Sequence, residues 1–119
     1  MLYDTTQLAL ERTIQGASAR NEALAANLAN ANTPGYQRMD VDFHSALAQA
    51  MGQGKPAAAL RTASFSAQAD ASGATRADGS SIDIDSESAK LAANGLEHQT
   101  AVQIAGARLD IVRSAMGVG

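Results

Sequence analysis

NLANANTPGYQR, residues 27–38, is the stretch that decides where the first helix of this chain ends and how the chain leaves it. Thr33 precedes a proline and is therefore pushed towards an extended backbone, and Pro34-Gly35 suits the two central positions of a type II turn. Asn30 and Asn32 tolerate the left-handed geometry of a helix end and can hydrogen-bond the backbone groups freed there. A single glycine would end the helix without fixing the direction of exit. The stretch therefore predicts a helix end followed by a defined corner.

The residues before this corner predict one long helix. Asp4 is the predicted N-cap, because Gln7 follows it at the spacing of a capping box. Apolar and small residues then recur four and three apart, with polar breaks at Gln7 and Asn21, which is the spacing of a heptad seam. Gly16 weakens the helix by about 1 kcal/mol relative to alanine but lets another helix approach closely. The seam residues predicted on this helix are Leu10, Ile14, Ala17, Leu24 and Leu28.

The last third of the chain predicts a second long helix. Asp83, Asp85 or Ser86 can cap it, and the acidic residues there suit the positive end of the helix dipole. Its seam is ragged near Gly95, where a better helix former is expected, and regular further on. The seam residues predicted on this helix are Val102, Ala105, Leu109, Val112 and Met116.

The middle of the chain differs from both ends. Val41 and Phe43 alternate with polar residues, as do Ile82 and Ile84, so both places predict short strands. Between them runs a stretch rich in alanine, glycine and serine, which is typical of a flexible connector.

These segments predict a mainly α fold in which long N- and C-terminal helices form a coiled-coil-like hairpin, with a short extended segment and a flexible Ala/Gly/Ser-rich connector between them. The predicted organisation is residues 1–38 for the first helix and its turn, 39–85 for the extended segment and connector, and 86–119 for the last helix. A two-helix hairpin leaves half of each seam in water. We therefore expect further helices from other copies or other proteins.

Composition excludes several classes of function. The net charge of −3 argues against nucleic acid as a partner, because phosphate binding needs clustered lysine and arginine. The absence of cysteine excludes disulfides and thiolate metal sites. The start MLYDTTQLALER has no basic region, so no cleavable secretory signal is predicted, and no apolar run is long enough to span a bilayer.

No catalytic, cofactor or metal site is predicted. Asp40, Asp42 and His44 could line one face of a strand as metal ligands, but a solvated strand face is the preferred interpretation. Glu97 and His98 are adjacent on a helix and so do not face each other. The sequence contains no glycine-rich phosphate loop, no nucleophile motif and no HExxH. An enzyme is therefore not expected.

LAANLANANTPGYQRMDVDF resembles the signature of flagellar axial proteins, in which a helix ends in an Asn-Leu/Ile-Ala-Asn-x-x-Thr-Pro-Gly-Tyr/Phe pattern. DGSSIDIDSESAKLAANGLEHQTAVQ is similar to the segment that opens the C-terminal helix in proximal-rod members of the flagellar basal-body rod family. The chain also lacks the large inserted domains of hook and distal-rod proteins. The positions that match the turn motif are Asn27, Leu28, Ala29, Asn30, Thr33, Pro34, Gly35 and Tyr36.

The resemblance implies a structural subunit of the basal-body rod that assembles with copies of itself through its terminal helices, transmits torque and forms part of the export channel. It implies a periplasmic position, export by the flagellar type III apparatus, and contacts with adjacent rod subunits, the rod-base or ring-junction proteins and the export gate. Phe43 and Leu47 match the family's element for docking at the export gate, although core packing explains them equally well. The alternatives left open are a second proximal-rod protein and a cytoplasmic coiled-coil adaptor or export chaperone.

Overall fold

The computed structural model describes residues 4–70 and 82–117. Within these residues the elements, in chain order, are helix α1 (Thr5–Ala29), strand β1 (Met39–Asp40), helix α2 (Phe43–Met51), helix α3 (Pro56–Thr62), strand β2 (Gln68–Ala69) and helix α4 (Ile84–Ala115). The two short strands pair antiparallel, with Met39 opposite Ala69. The prediction of a mainly α chain with long terminal helices is confirmed.

Helix α1 begins as predicted, and the prediction for its end is confirmed in part. Asp4 caps it by accepting a hydrogen bond from the Gln7 backbone N at 2.8 Å. At its other end Asn30 keeps a negative φ of −105°, and its Nδ2 donates to the Ala26 carbonyl at 2.8 Å. Asn30 therefore hydrogen-bonds a freed backbone group as expected, but neither Asn30 nor Asn32 takes the left-handed geometry that it could tolerate, since no described residue other than glycine has a positive φ. A side-chain bond back into the last turn satisfies a freed carbonyl without that geometry.

The turn after α1 is confirmed. Gly35 has φ of 77°, and the Tyr36 backbone N donates to the Thr33 carbonyl at 3.2 Å. A hydrogen bond between the first and fourth residues with a positive φ at the third defines a type II turn.

Helix α4 begins two residues earlier than the last helix was predicted to begin. Asp83 is the cap, because its Oδ1 accepts from the backbone N of Asp85 at 3.0 Å and of Ser86 at 3.3 Å. The strand predicted around Ile82 and Ile84 is wrong, since the capped helix already includes Ile84. The helix continues through Gly95 without a break.

Helices α1 and α4 pack antiparallel. Polar contacts tie them at successive heights: Asp4 Oδ2 with Arg108 Nη2 at 2.7 Å, the Ala17 carbonyl with Asn94 Nδ2 at 2.8 Å, and Asn27 Nδ2 with Glu87 Oε2 at 3.2 Å. The residues of α4 buried in the described structure are small or polar: Glu87, Asn94, Ala101 and Ala105. The narrow side chains let the helices approach closely, and the polar contacts set their register. Whether they form a coiled coil stays a prediction.

The middle segment is more helical than predicted. The strand stops at Asp40, because Asp42 accepts from the Ser45 backbone N at 3.2 Å and caps α2, so the predicted strand position of Phe43 is wrong. A flexible connector is also wrong for α2 and α3, whose residues Ala50 and Leu60 pack against Leu8 of α1. The part of the predicted connector at residues 71–81 lies outside the described residues.

Gly16 of α1 leaves the space in which the first residue of α2 packs. A Cβ built on Gly16 would lie 2.5 Å from both Cβ and Cγ of Phe43, which is too close for any side chain. The prediction that Gly16 permits close approach by another helix is therefore confirmed, and the approaching residue is Phe43, which is fully buried.

Candidate functional site

The corner, which we define as residues 27–43, is built around the amide of Asn27. This side chain is fully buried at the end of α1. Its Nδ2 donates to the Met39 carbonyl at 2.6 Å, and its Oδ1 accepts from the Met39 backbone N at 2.9 Å. The amide thus satisfies both backbone groups of Met39, as a neighbouring strand would. It holds the returning chain against the helix that the turn has just ended.

Asn27 also connects the corner to α4. Its Nδ2 lies 3.2 Å from Glu87 Oε2, and the other oxygen of Glu87 accepts a hydrogen bond from Arg38 Nε. Arg38 is 3% exposed and Glu87 is 1% exposed. Taking such charges out of water costs several kcal/mol each, so they are tolerated only as a well-bonded pair. Removing Arg38 would leave the buried Glu87 carboxylate without the cation that pairs with it.

Arg38 also bonds to Asp40 and Asp70. Its Nη2 lies 2.9 Å from Asp40 Oδ2, and its Nη1 donates to Asp70. The backbone N of Asp70 in turn donates to the Arg38 carbonyl at 2.8 Å. Asp40 is also paired with Arg20 of α1, whose Nε lies 2.8 Å from Oδ1. One guanidinium therefore joins the corner, the chain after β2 and the first turn of α4.

The pKa values follow from this pairing. Burial alone lowers the pKa of Arg38, but hydrogen bonds to Glu87 and Asp40 outweigh it and raise that pKa above its ordinary value. Burial raises the pKa of Asp40, but hydrogen bonds from Arg20 and Arg38 outweigh it and hold that pKa below its ordinary value. The charged forms of Arg38 and Asp40 are thus the stable ones near neutral pH.

The remaining motif residues shape the turn. Thr33 Oγ1 donates to Asn30 Oδ1 at 3.2 Å, while Pro34 and Gly35 are exposed. Tyr36 is half-buried, and its hydroxyl lies 3.5 Å from Asn27 Oδ1. The tyrosine therefore leans on the helix of its own chain.

Sequence reasoning missed Arg38, Glu87 and Asn94 as buried polar residues. Arg38 is the only charged residue in the quoted stretch, which was a usable signal. Glu87 was assigned to the helix dipole, and nothing local distinguishes it from Asp85, which is exposed. The burial of Asn94 has no signal within α4, because its side chain donates to the Ala17 carbonyl of the facing helix α1.

Asp40, Asp42 and His44, the residues considered as metal ligands, each contact a different group. Asp40 pairs with two arginines, Asp42 caps α2, and His44 Nε2 lies 2.7 Å from Glu97 Oε1 of α4. Within residues 4–70 and 82–117 no group of acidic and histidine side chains is arranged to hold a metal ion.

The predicted seam is divided between the inside and the outside of the hairpin. Its members fall into three groups: Ala17, Leu24 and Ala105 are buried; Leu10, Ile14, Leu28 and Val112 are half-buried; Val102, Leu109 and Met116 are exposed. Part of the seam therefore serves the pairing of α1 with α4, and part remains available to another molecule.

Phe43 and Leu47 share one face of α2 and pack inwards. Phe43 is fully buried, with its ring centroid 6.3 Å from that of Phe65. Leu47 is half-buried and contacts the clusters around both Phe43 and Leu60. In the folded chain these two side chains are core residues, and their role in docking stays a prediction.

Helix α4 exposes apolar side chains along much of its length. The exposed large ones in α4 are Ile84, Leu96, Val102, Ile104, Leu109 and Ile111, and the exposed Met116 follows as its C-cap. An apolar groove of about 450 Å³ runs between α1 and α4, with Leu10 and Thr13 on one side and Leu96 and Ile104 on the other. None of the described helices is long and apolar enough to cross a membrane.

Comparison with known proteins agrees with the motif. The family model described as "Flagella basal body rod protein" matches residues 9–37, which cover most of α1 and its turn. The chain is 32% identical to the flagellar basal body rod protein FlgB of Aeromonas hydrophila, over 83% of each chain. It is 38% identical to FlgB of Salmonella typhimurium over 76% of this chain and 77% of that one. It is 36% identical to FlgB of Escherichia coli K12, over 67% and 70%.

Proposed function

The chain belongs to the flagellar basal body rod protein family, and from that premise we propose that it builds the proximal rod through its two terminal helices. It is a structural subunit of the rod and not an enzyme. The proposal concerns how this subunit assembles, where it lies and which proteins it meets.

One observation carries the proposal: the corner joins the terminal helices rigidly while α4 keeps an apolar surface outside. The ion pair between Arg38 and Glu87 is buried at the junction, whereas Val102 and Leu109 are 45% and 38% exposed. Such a subunit has a fixed angle between its parts and apolar area left to bury. Both properties are needed where the same contact recurs in every subunit added.

Helical tubes form when one patch on a subunit meets a different patch on the next and the rotation does not close. The exposed members of the seam, Val102, Leu109 and Met116, would supply one such patch. A tube built in this way can transmit torque along its wall and surround a channel. We propose that the seam packs as a coiled coil with helices of adjacent subunits.

The proposed location is the periplasmic part of the basal body. The subunit would reach it through the flagellar type III apparatus without a cleaved signal, and would meet adjacent rod subunits, the rod-base or ring-junction proteins and the export gate. Phe43 and Leu47 would act at the gate only before folding, because Phe43 is fully buried afterwards. Export of an unfolded chain and burial of the docking residues on assembly are then successive steps.

The experiment uses a strain that lacks this protein and is complemented by the natural chain or by Leu109→Asp. We expect the natural chain in purified basal bodies and restored swimming. Leu109→Asp should keep its cellular level but should be absent from basal bodies, because a charge now lies in the seam. Leu24 serves this test poorly, because it is fully buried and its replacement would damage the fold.

Gln103→Asp is the matched control, since Gln103 is exposed on the same helix outside the seam. Finding the natural chain only in the cytosol would favour an adaptor or export chaperone. Normal assembly of Leu109→Asp would remove Leu109 from the seam.

A further inference from the structure

Helix α4 is held from two directions near its middle. Asn94 Nδ2 donates to the Ala17 carbonyl of α1 at 2.8 Å. Three positions further along α4, Glu97 Oε1 lies 2.7 Å from His44 Nε2 of α2. Side chains three positions apart on a helix point about 60° away from each other. Two contacts in different directions restrict both the sliding and the turning of α4.

The contact with α2 is a side-chain bridge across a gap between two backbones. In the described residues no Cα of α2 lies within 8 Å of a Cα of α4. The His44 ring stacks on the ring of Phe43, with the centroids 4.1 Å apart. Phe43 is itself fully buried beside Gly16 of α1. The bridge therefore begins at a side chain whose base is fixed in the core.

The bridge and the Asn94 contact depend on adjacent residues of α1. Phe43 packs beside Gly16, and Asn94 bonds to the carbonyl of the next residue, Ala17, so both reach α1 at the same height. The helices α1, α2 and α4 are thus joined in pairs around a closed ring. We call the residues of this ring the clasp: Gly16, Ala17, Phe43, His44, Asn94 and Glu97.

Apolar burial alone does not explain how α4 is turned towards α1. Ile104 and Ile111 are 46% and 69% exposed, and a turn of about 100° would bring them to the places of the next residues, Ala105 and Val112, which are buried and half-buried. Asn94 is buried instead, and its Oδ1 has no hydrogen-bond partner among the described residues, which costs free energy. Polar contacts with a fixed direction therefore decide the orientation of α4.

We propose that the clasp is the positioning device of α4, and that α2 takes part in it through His44 and Glu97. The ion pair of Glu87 fixes the first turn of α4, whereas the clasp acts about 10–15 Å further along the helix. It holds the middle of α4 in the orientation that buries Ala101 and Ala105. The consequence for assembly rests on the proposed function, since the clasp then decides which surface of α4 other subunits meet. The positioning itself is a property of one chain.

The test is the rate at which a buried cysteine is labelled in the purified full-length chain, which has no natural cysteine. Ala101→Cys reports opening of α4 from α1, because Ala101 is 4% exposed and lies one turn beyond Glu97. Ala50→Cys reports opening elsewhere, since Ala50 is 7% exposed and packs against Leu60. His44→Ala or Glu97→Ala should speed labelling at position 101 about two- to fivefold and leave the rate at position 50 unchanged.

Three further variants make the test specific to the clasp. Asn94→Ala should speed labelling at position 101 about three- to tenfold, because it removes a buried hydrogen bond. The double change His44→Ala with Glu97→Ala should have no more effect than either change alone, since all three variants lose the same contact. Gln99→Ala is the matched control, because Gln99 is exposed on the same helix outside the clasp, and it should leave both rates unchanged.

The inference would be overturned by equal acceleration at positions 101 and 50, which would show a general loss of stability instead of a loss of position. Multiplying effects of His44→Ala and Glu97→Ala, or an unchanged rate at position 101 in both, would overturn the bridge. These two side chains are 55% and 37% exposed, so their removal leaves the core intact even where Asn94→Ala does not. Failure of this test leaves the proposed function standing, because no step of the test requires assembly.

Discussion

The corner and the outer surface of α4 have opposite chemistry. At the corner, polar and charged side chains are buried, and Asn27, Arg38 and Glu87 satisfy one another there. Along α4, apolar side chains such as Ile104 and Ile111 face water. The corner is therefore complete within one chain, whereas α4 leaves apolar side chains uncovered. The proposed assembly uses both, since the corner sets the subunit's shape and α4 supplies the surface that we propose another subunit covers.

The largest expected effect comes from breaking the corner. Glu87→Ala should lower the free energy of unfolding by about 3–5 kcal/mol, because it breaks a buried ion pair and leaves the Nε of Arg38 without its carboxylate. The measurement is urea unfolding followed by far-UV circular dichroism. Ile104→Ala on the exposed surface of α4 is the comparison, and it should change the same quantity by no more than about 0.5 kcal/mol.

A second variant tests whether the charge itself is responsible. The double change Arg38→Met with Glu87→Leu removes both charges and should recover much of the lost stability. The contrast between corner and α4 would be lost if Glu87→Ala cost no more than Ile104→Ala.

A smaller effect is expected from two glycines that differ in their surroundings. Gly16→Ala should destabilise the chain by about 1–3 kcal/mol, since the new Cβ would overlap Phe43. Gly95→Ala should stabilise it by about 1 kcal/mol, because nothing lies within 4 Å of a Cβ at Gly95 and alanine favours the helix. Thermal unfolding monitored by circular dichroism distinguishes the two. Equal effects of the same sign would mean that α2 does not pack on α1 as described.

The smallest expected effect is on the pH dependence. The pKa of Asp40 is below its ordinary value in the folded chain, so its contribution to stability is present above the unfolded value of about 3.9 and is lost as the pH falls through the folded pKa. Asp40→Asn should therefore be less stable at neutral pH and should lose less stability on acidification. Urea midpoints between about pH 5 and pH 2 measure this.

Asp110→Asn is the control for the acid series, because the Asp110 side chain is 73% exposed on α4. It should leave the profile close to that of the natural chain. A profile for Asp40→Asn that runs parallel to the natural one would show that the arginine contacts do not stabilise the ionised carboxylate.

Local patterns predicted the features that depend on near neighbours in sequence. The cap at Asp4 and the type II turn at Gly35 were both predicted, because each depends on residues within one turn of the chain. The strand predicted at Phe43 was wrong because that prediction also depended on near neighbours alone. Alternation over a few residues resembles a strand, but the cap at Asp42 and the space beside Gly16 favour a helix there.

Local sequence patterns are enough to predict two long terminal helices, a defined turn after the first of them, and a motif shared with flagellar rod proteins. Helix periodicity, capping residues and the Thr-Pro-Gly turn are local properties, so they can be read along the chain. Which side of α4 faces α1 depends on the packing of distant segments, because small and polar residues such as Ala105 and Asn94 form that contact instead of the most apolar ones. The tertiary structure also decides that Glu87 meets Arg38 and Asn27, which are 49 and 60 positions away in the sequence, in one buried network. A buried charge destabilises the fold unless it is paired. A partner from a distant segment cannot be identified from the residues that neighbour the charge in sequence.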